Sequence, residues 1–233
     1  MKHLINKKFR LMFGLLLSSA SFAYASLITP TGVTASSALT GLSRPATTTI
    51  DGSGVTGGGG ADTHGNSVSA TMWTSNGTLG NLGTPAVNDL DPEITFDLGG
   101  LYDVNTVRVW NYNENTFTRF GANSVEIFAG ETLGTLASAG TFVFIEADSS
   151  TTTPAQDIVV PLNMVQFIRF DVLTNHDGAI FDGTGANGGI DGRSLTGLSE
   201  VRFDGTASIP EPSTAALFCF GIALILRLCC RRK

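Results

Sequence analysis

Residues 92–114, PEITFDLGGLYDVNTVRVWNYNE, decide the fold. Ile94, Phe96 and Leu98 alternate with polar residues, and Val107 and Val109 repeat the pattern after the two glycines. Successive side chains on a strand point to opposite faces, so short runs of period two mean strands with one buried face. Moving outward, the same alternation returns at Val125 and Ile127, at Ile158, Val160 and Leu162, at Ile168, Phe170 and Val172, and at Val201 and Phe203. Gly, Asp and Asn turns separate the runs, and no amphipathic helix is convincing between Ser26 and Ile209. Many strands without intervening helices predict an all-β sandwich or jelly roll. From residue 26 to about residue 85 the chain is rich in Gly, Ser and Thr, which predicts long loops.

The two ends read differently from the middle. Lys2, Lys7, Lys8 and Arg10 precede an apolar run at 11–23, and Ala23-Tyr24-Ala25 follows. A basic start, a short apolar core and small residues before Ser26 predict a signal peptide over residues 1–25. The run is too short for a membrane span, which needs about 20 apolar residues. At the other end, Pro210-Glu211-Pro212 leads into an apolar stretch, then Arg227, Arg231, Arg232 and Lys233. This order resembles the PEP-CTERM sorting signal of exopolysaccharide-producing Gram-negative bacteria. The resemblance implies an inner-membrane helix at about residues 214–228, with its basic end in the cytoplasm. It also implies processing by an exosortase near Pro210, Glu211 and Pro212. The expected organisation is therefore leader 1–25, domain 26–208 and sorting tail 209–233.

Charge is distributed unevenly. Residues 26–209 hold six arginines, no lysine and nineteen acids, a net charge of −13 against −6 for the whole chain. So acidic a domain repels phosphate backbones, which argues against nucleic acid as a partner. All three cysteines, at 219, 229 and 230, lie in the tail, so the domain has no disulfide and depends on its core.

Several strings in order resemble the discoidin (coagulation factor 5/8 type C) or galactose-binding-like domains. They are Ile50-Asp51-Gly52, Thr71-Met72-Trp73, the 92–114 segment, Arg119 with Gly121, the QFIRFDV string at 166–172, and 197–203. The resemblance spans about residues 30–205 and implies a discoidin-like jelly-roll β-sandwich. A long Gly-rich insertion between Gly52 and Thr71, and an expansion at 183–192, depart from the family pattern.

The resemblance further implies a structural calcium ion, with Asp51, Thr71 and Glu200 as side-chain ligands. Hard carboxylate and hydroxyl oxygens suit calcium, which takes six to eight of them. The bland alternative makes Asp51 a turn cap and Glu200 a solvated strand acid. A ligand face is expected where loops gather at one end of the sandwich. Trp110, Asn111, Tyr112, Asn113, Glu114 and Arg119 cluster at one strand-to-loop junction, and Asn175, His176 and Asp177 lie in a later loop. Aromatic planes with amide, carboxylate and guanidinium groups suit sugars. The competing reading places Trp110 or Tyr112 in the core, with the polar residues satisfying turn backbones.

Other motifs carry less. Gly183 to Gly188 match G-x-G-x-x-G, but a loop sequence follows where a dinucleotide site needs a helix. Residues 26–209 have only His64 and His176, no thiol and no G-x-S-x-G elbow. The expected function is a non-catalytic carbohydrate-binding protein, exported to the cell surface or exopolysaccharide matrix. The rivals are a structural matrix or adhesion protein without a defined small ligand, and a secreted glycan hydrolase.

Overall fold

The computed structural model describes residues 26–57, 61–67, 70–77, 88–184 and 194–208. The leader, the sorting motif Pro210-Glu211-Pro212, the apolar tail and most of the 183–188 glycine motif lie outside the described residues. Among the described residues there is no α-helix, and none that could cross a membrane.

The strands in chain order are β1 (Ser26–Ile28), β2 (Gly32–Ala35), β3 (Val55–Thr56), β4 (Thr63–His64), β5 (Trp73–Thr74) and β6 (Glu93–Asn111). They continue with β7 (Ala122–Gly130), β8 (Ala137–Val143), β9 (Thr153–Pro154), β10 (Gln156–Asn175) and β11 (Gly197–Ala207). Two of them, β6 and β10, are long enough to serve both layers of a sandwich. The first part of β6 pairs with β2 (Thr95 opposite Thr34) and with the end of β10 (Phe96 opposite Ile168). Its second part pairs with β11 (Val109 opposite Val201) and with the start of β10 (Val107 opposite Ile158). On the first layer β7 joins β10 and β8 forms the edge; on the second, β1 lies outside β11. All these pairs are antiparallel.

The strands change layer at one corner. Gly99 has φ +78°, and a Cβ there would lie 2.7 Å from the Thr31 methyl carbon, so only glycine fits. β10 crosses the same corner through register shifts between Val159 and Phe167, with Met164 at φ 52°. Bulges at such corners re-aim a strand from one sheet to the other.

Every residue of the alternating pattern faces the core. Ile94, Phe96, Val107, Val125, Ile127, Ile168, Phe170, Val172, Val201 and Phe203 are fully buried. Phe96 meets Phe170 edge-on at 5.2 Å within one layer and Phe203 at 5.6 Å across to the other. Each buried aromatic or aliphatic side chain contributes about 1.5–3 kcal/mol of transfer free energy. The Gly- and Thr-rich first third holds more order than its composition predicts, including β1, β2 and three two-residue strands. The connections that follow β2, β6, β8 and β10 all leave the same end of the sandwich, and there the candidate site lies.

Candidate functional site

Trp110 and Tyr112 are fully buried, as the core reading describes. Alternation would leave one face of β6 open, but residues 51–57 and 61–64 lie across it. The Trp110 indole Nε1 donates to the Asp62 carbonyl at 3.3 Å, and the Arg202 guanidinium lies 5.6 Å from its ring centre. Tyr112 hydrogen-bonds through its hydroxyl to Arg44 and to Glu114. Arg44 also grips Glu114 with two hydrogen bonds, at 2.9 and 3.2 Å. Burial, with Glu114 beside it, pushes the Tyr112 phenol well above its ordinary value despite Arg44. The Asn113 amide is shared among the carbonyls of Ser150, Gly65 and His64 at 2.8–3.3 Å. Trp110, Tyr112, Asn113 and Glu114, with Arg44, bind the loops to one another.

Arg119 is engaged as well. Its guanidinium pairs with nearly buried Asp177 at 3.3 Å, donates to the Thr116 carbonyl at 2.9 Å and lies over the Phe120 ring at 4.7 Å. His176 sits next to this group, its backbone N–H donating to the Gly121 carbonyl at 3.2 Å. Burial lowers the His176 pKa, while Glu146 and backbone carbonyls pull it upward. Asn175 is buried and donates to the Leu195 carbonyl at 2.8 Å.

The three residues that the resemblance implies for calcium surround the 51–54 turn, each with a partner of its own. Asp51 Oδ1 accepts the Ser53 N–H at 2.8 Å, and the Thr71 hydroxyl donates to the Ser67 carbonyl. Glu200 is fully buried, with Oε2 accepting the Gly52 N–H at 3.2 Å and Oε1 held by Arg202 Nε at 3.2 Å. Burial pushes Glu200 up to about 7 against the pull of Arg202 and Gly52. Among the described residues no three His, Cys, Asp or Glu side chains gather for a metal. As placed, Asp51, Thr71 and Glu200 do not fit a calcium cage.

Among the described residues, one open feature at this end is not marked by any motif of the sequence. A cavity of about 210 Å³ lies beside the β8–β10 connection. Val109, Ile145, Ala147, Pro154 and Ala155 give it apolar walls; Asn111, Glu146, Asp148 and Gln156 give it polar ones. Most of the polar groups are already used. Asn111 donates to the Ala122 and Ile145 carbonyls at 2.7 and 2.9 Å. Gln156 accepts from the Ile145 N–H at 2.8 Å and donates to the Val143 carbonyl at 3.0 Å, tying the edge strand to β10. Asp148 accepts from the Thr153 hydroxyl and the Ser150 N–H, and both hold its carboxyl below the usual range. Glu146 differs: it is exposed, and one oxygen accepts the Thr118 hydroxyl at 2.8 Å, which leaves the other to solvent. Ile145 is 65% exposed beside it.

Solved structures share this architecture. The C-terminal domain of a chitobiase from Bacteroides fragilis superposes with a TM-score of 0.51 at 15% identity, covering 79% of this chain and 100% of that one. The domain CBM32-3 of a family 31 glycoside hydrolase from Clostridium perfringens gives 0.50 at 15% identity, covering 78% and 96%. The fold is the discoidin-like jelly roll. A truncated AlyQ with CBM32 and alginate lyase domains gives 0.48 at 18% identity, and the chain covers 80% of itself but only 35% of that longer protein. At these identities the likeness is one of fold. No protein-family model and no curated protein sequence matches the chain.

Proposed function

We propose that residues 26–208 bind carbohydrate without transforming it, at the cell surface or in an exopolysaccharide matrix. The cavity beside Glu146 carries the proposal. Apolar walls with one free carboxylate oxygen combine the ring contact and the directed hydrogen bond that sugar recognition uses. Its volume, about 210 Å³, is below the ~300–1,000 Å³ of sites that enclose a drug-sized ligand, and suits one sugar ring entered from an open side. CBM32-3 is by its name a carbohydrate-binding module, and the shared fold supports the same class of ligand here. The proposal extends to the flanks. Residues 1–25 direct export, and the tail holds the chain in the inner membrane until an exosortase acts near Pro210-Glu211-Pro212.

One observation favours the adhesion or matrix reading: among the described residues no aromatic side chain is exposed. A screen of the full chain against arrayed glycans separates the two. Saturable binding of a defined glycan supports recognition, and retention of none supports the matrix role.

A further inference from the structure

Glu200 and Arg202 stand two residues apart on β11, so both side chains leave the same face of the strand. Val201 and Phe203 enter the core from the other face. On the outer face, Arg202 Nε reaches Glu200 Oε1 at 3.2 Å and its Nη1 reaches Asp62 Oδ2 at 3.2 Å. The three side chains are nearly closed to solvent, at 15% exposure for Arg202, 0% for Glu200 and 8% for Asp62. The Trp110 ring lies under the guanidinium. Glu200 also takes the Gly52 N–H, and Trp110 donates to the Asp62 carbonyl. The pair thus ties β11 to two separate points of the covering residues, at Gly52 through the Glu200 carboxylate and at Asp62 through the planar guanidinium fork.

We infer that Arg202 is the resident cation of the Glu200–Asp62 cluster. Its guanidinium joins Asp62 to Glu200, which holds the Gly52 N–H, and so clasps residues 51–57 and 61–62 without a metal ion. Two buried carboxylates need positive charge, since an unpaired buried charge is strongly destabilising. A divalent ion at Glu200 would have to displace the guanidinium or sit beside it, and like charges repel. The cluster has one further acceptor: Asp62 Oδ1 is buried without a hydrogen-bond partner. With Arg202 gone, Glu200 and Asp62 would present oxygens to calcium. A lysine could not replace the fork, because it offers a point charge and cannot hold two carboxylates in plane.

The test needs no glycan and compares melting midpoints of the full chain in EDTA and in about 1 mM calcium, a range that suits extracellular calcium modules. The wild type is expected to melt at the same temperature in both; a lower midpoint in EDTA overturns the inference. Arg202→Met keeps an apolar stem against Trp110 and removes the charge. Its midpoint in EDTA is expected to fall by at least about 6 °C, and calcium should raise it. A wild-type midpoint in this variant, or a lowered one that calcium does not move, overturns the inference. Should the methionine variant not fold, Arg202→Lys keeps the charge and is expected to melt below the wild type with no calcium response. A calcium response in the lysine variant overturns the inference too.

Discussion

The segment that follows β2 and the connection that follows β8 leave the same end of one sandwich, yet they place their polar groups in opposite ways. The first lies across the outer face of β6 and β11, where Asp62, His64 and Glu200 are buried and hydrogen-bonded into the fold. The second spans the gap between edge strand β8 and the start of β10 and keeps Ile145, Glu146 and Asp148 at the surface. Its backbone N–H groups at Ile145 and Ser150 donate to Gln156 and Asp148, which holds the backbone and leaves Glu146 half-used. A loop that covers a sheet face consumes its polar groups in covering it. A loop that bridges an edge can hold its shape and still offer a group to a ligand.

The largest effect is expected at Trp110. If residues 51–57 and 61–64 are structural, Trp110→Ala should cost about 3–5 kcal/mol, or roughly 6–20 °C of melting temperature for a domain of this size. Thermal unfolding that shows little change would mean the covering segment is not part of the packed structure. Arg119→Ala comes next. It removes the guanidinium from nearly buried Asp177 and from the Phe120 ring, so a loss of about 1–3 kcal/mol is expected in denaturant unfolding. Unchanged stability would return Arg119 to the ligand face.

A smaller effect follows from Glu200, whose folded pKa of about 7 lies above the ordinary carboxyl value of 4.5. Between those values the native state binds the proton that the unfolded chain releases, so this group's contribution is complete below about 4.5 and lost as pH rises through about 7. His64 and His176 have lowered values and act in the opposite sense as pH falls below 6.5. The measurement is therefore a difference. The melting midpoint of wild type minus that of Glu200→Gln should decline across this window, and a flat difference would show that Glu200 titrates at the same pH folded and unfolded.

The sandwich could be read from its sequence because its core strands alternate cleanly: each apolar position singled out between Ile94 and Phe203 is buried. Edge strand β8 is not legible in the sequence, because Ala137–Val143 is mostly small or exposed, with no buried row to mark it. The site was harder. Period two tells which side chains of β6 face the core, but it cannot tell that a segment some fifty residues earlier will cover the other face. That is why Trp110 and Tyr112 read as candidates for a ligand surface, while nothing in the sequence marks Asp62 or Arg44. Glu146 lies in 144–155, FIEADSSTTTPA, where the polar residues resemble any loop. Its significance arises only when Thr118 and the pocket walls are placed around it.

The most direct test of the account uses one glycan retained by the wild type and two variants, Glu146→Gln and Arg119→Ala, titrated by calorimetry under conditions where both are folded. Glu146→Gln should weaken binding by about 1.5–3 kcal/mol, the range of a charge-assisted hydrogen bond, which is roughly 10- to 150-fold. Its stability should change by less than about 0.5 kcal/mol, as for an exposed substitution. Arg119→Ala should keep wild-type affinity while losing stability. The reverse pattern, affinity lost at Arg119 and kept at Glu146, would place the binding face at the β6 junction and contradict the assignment of the pocket.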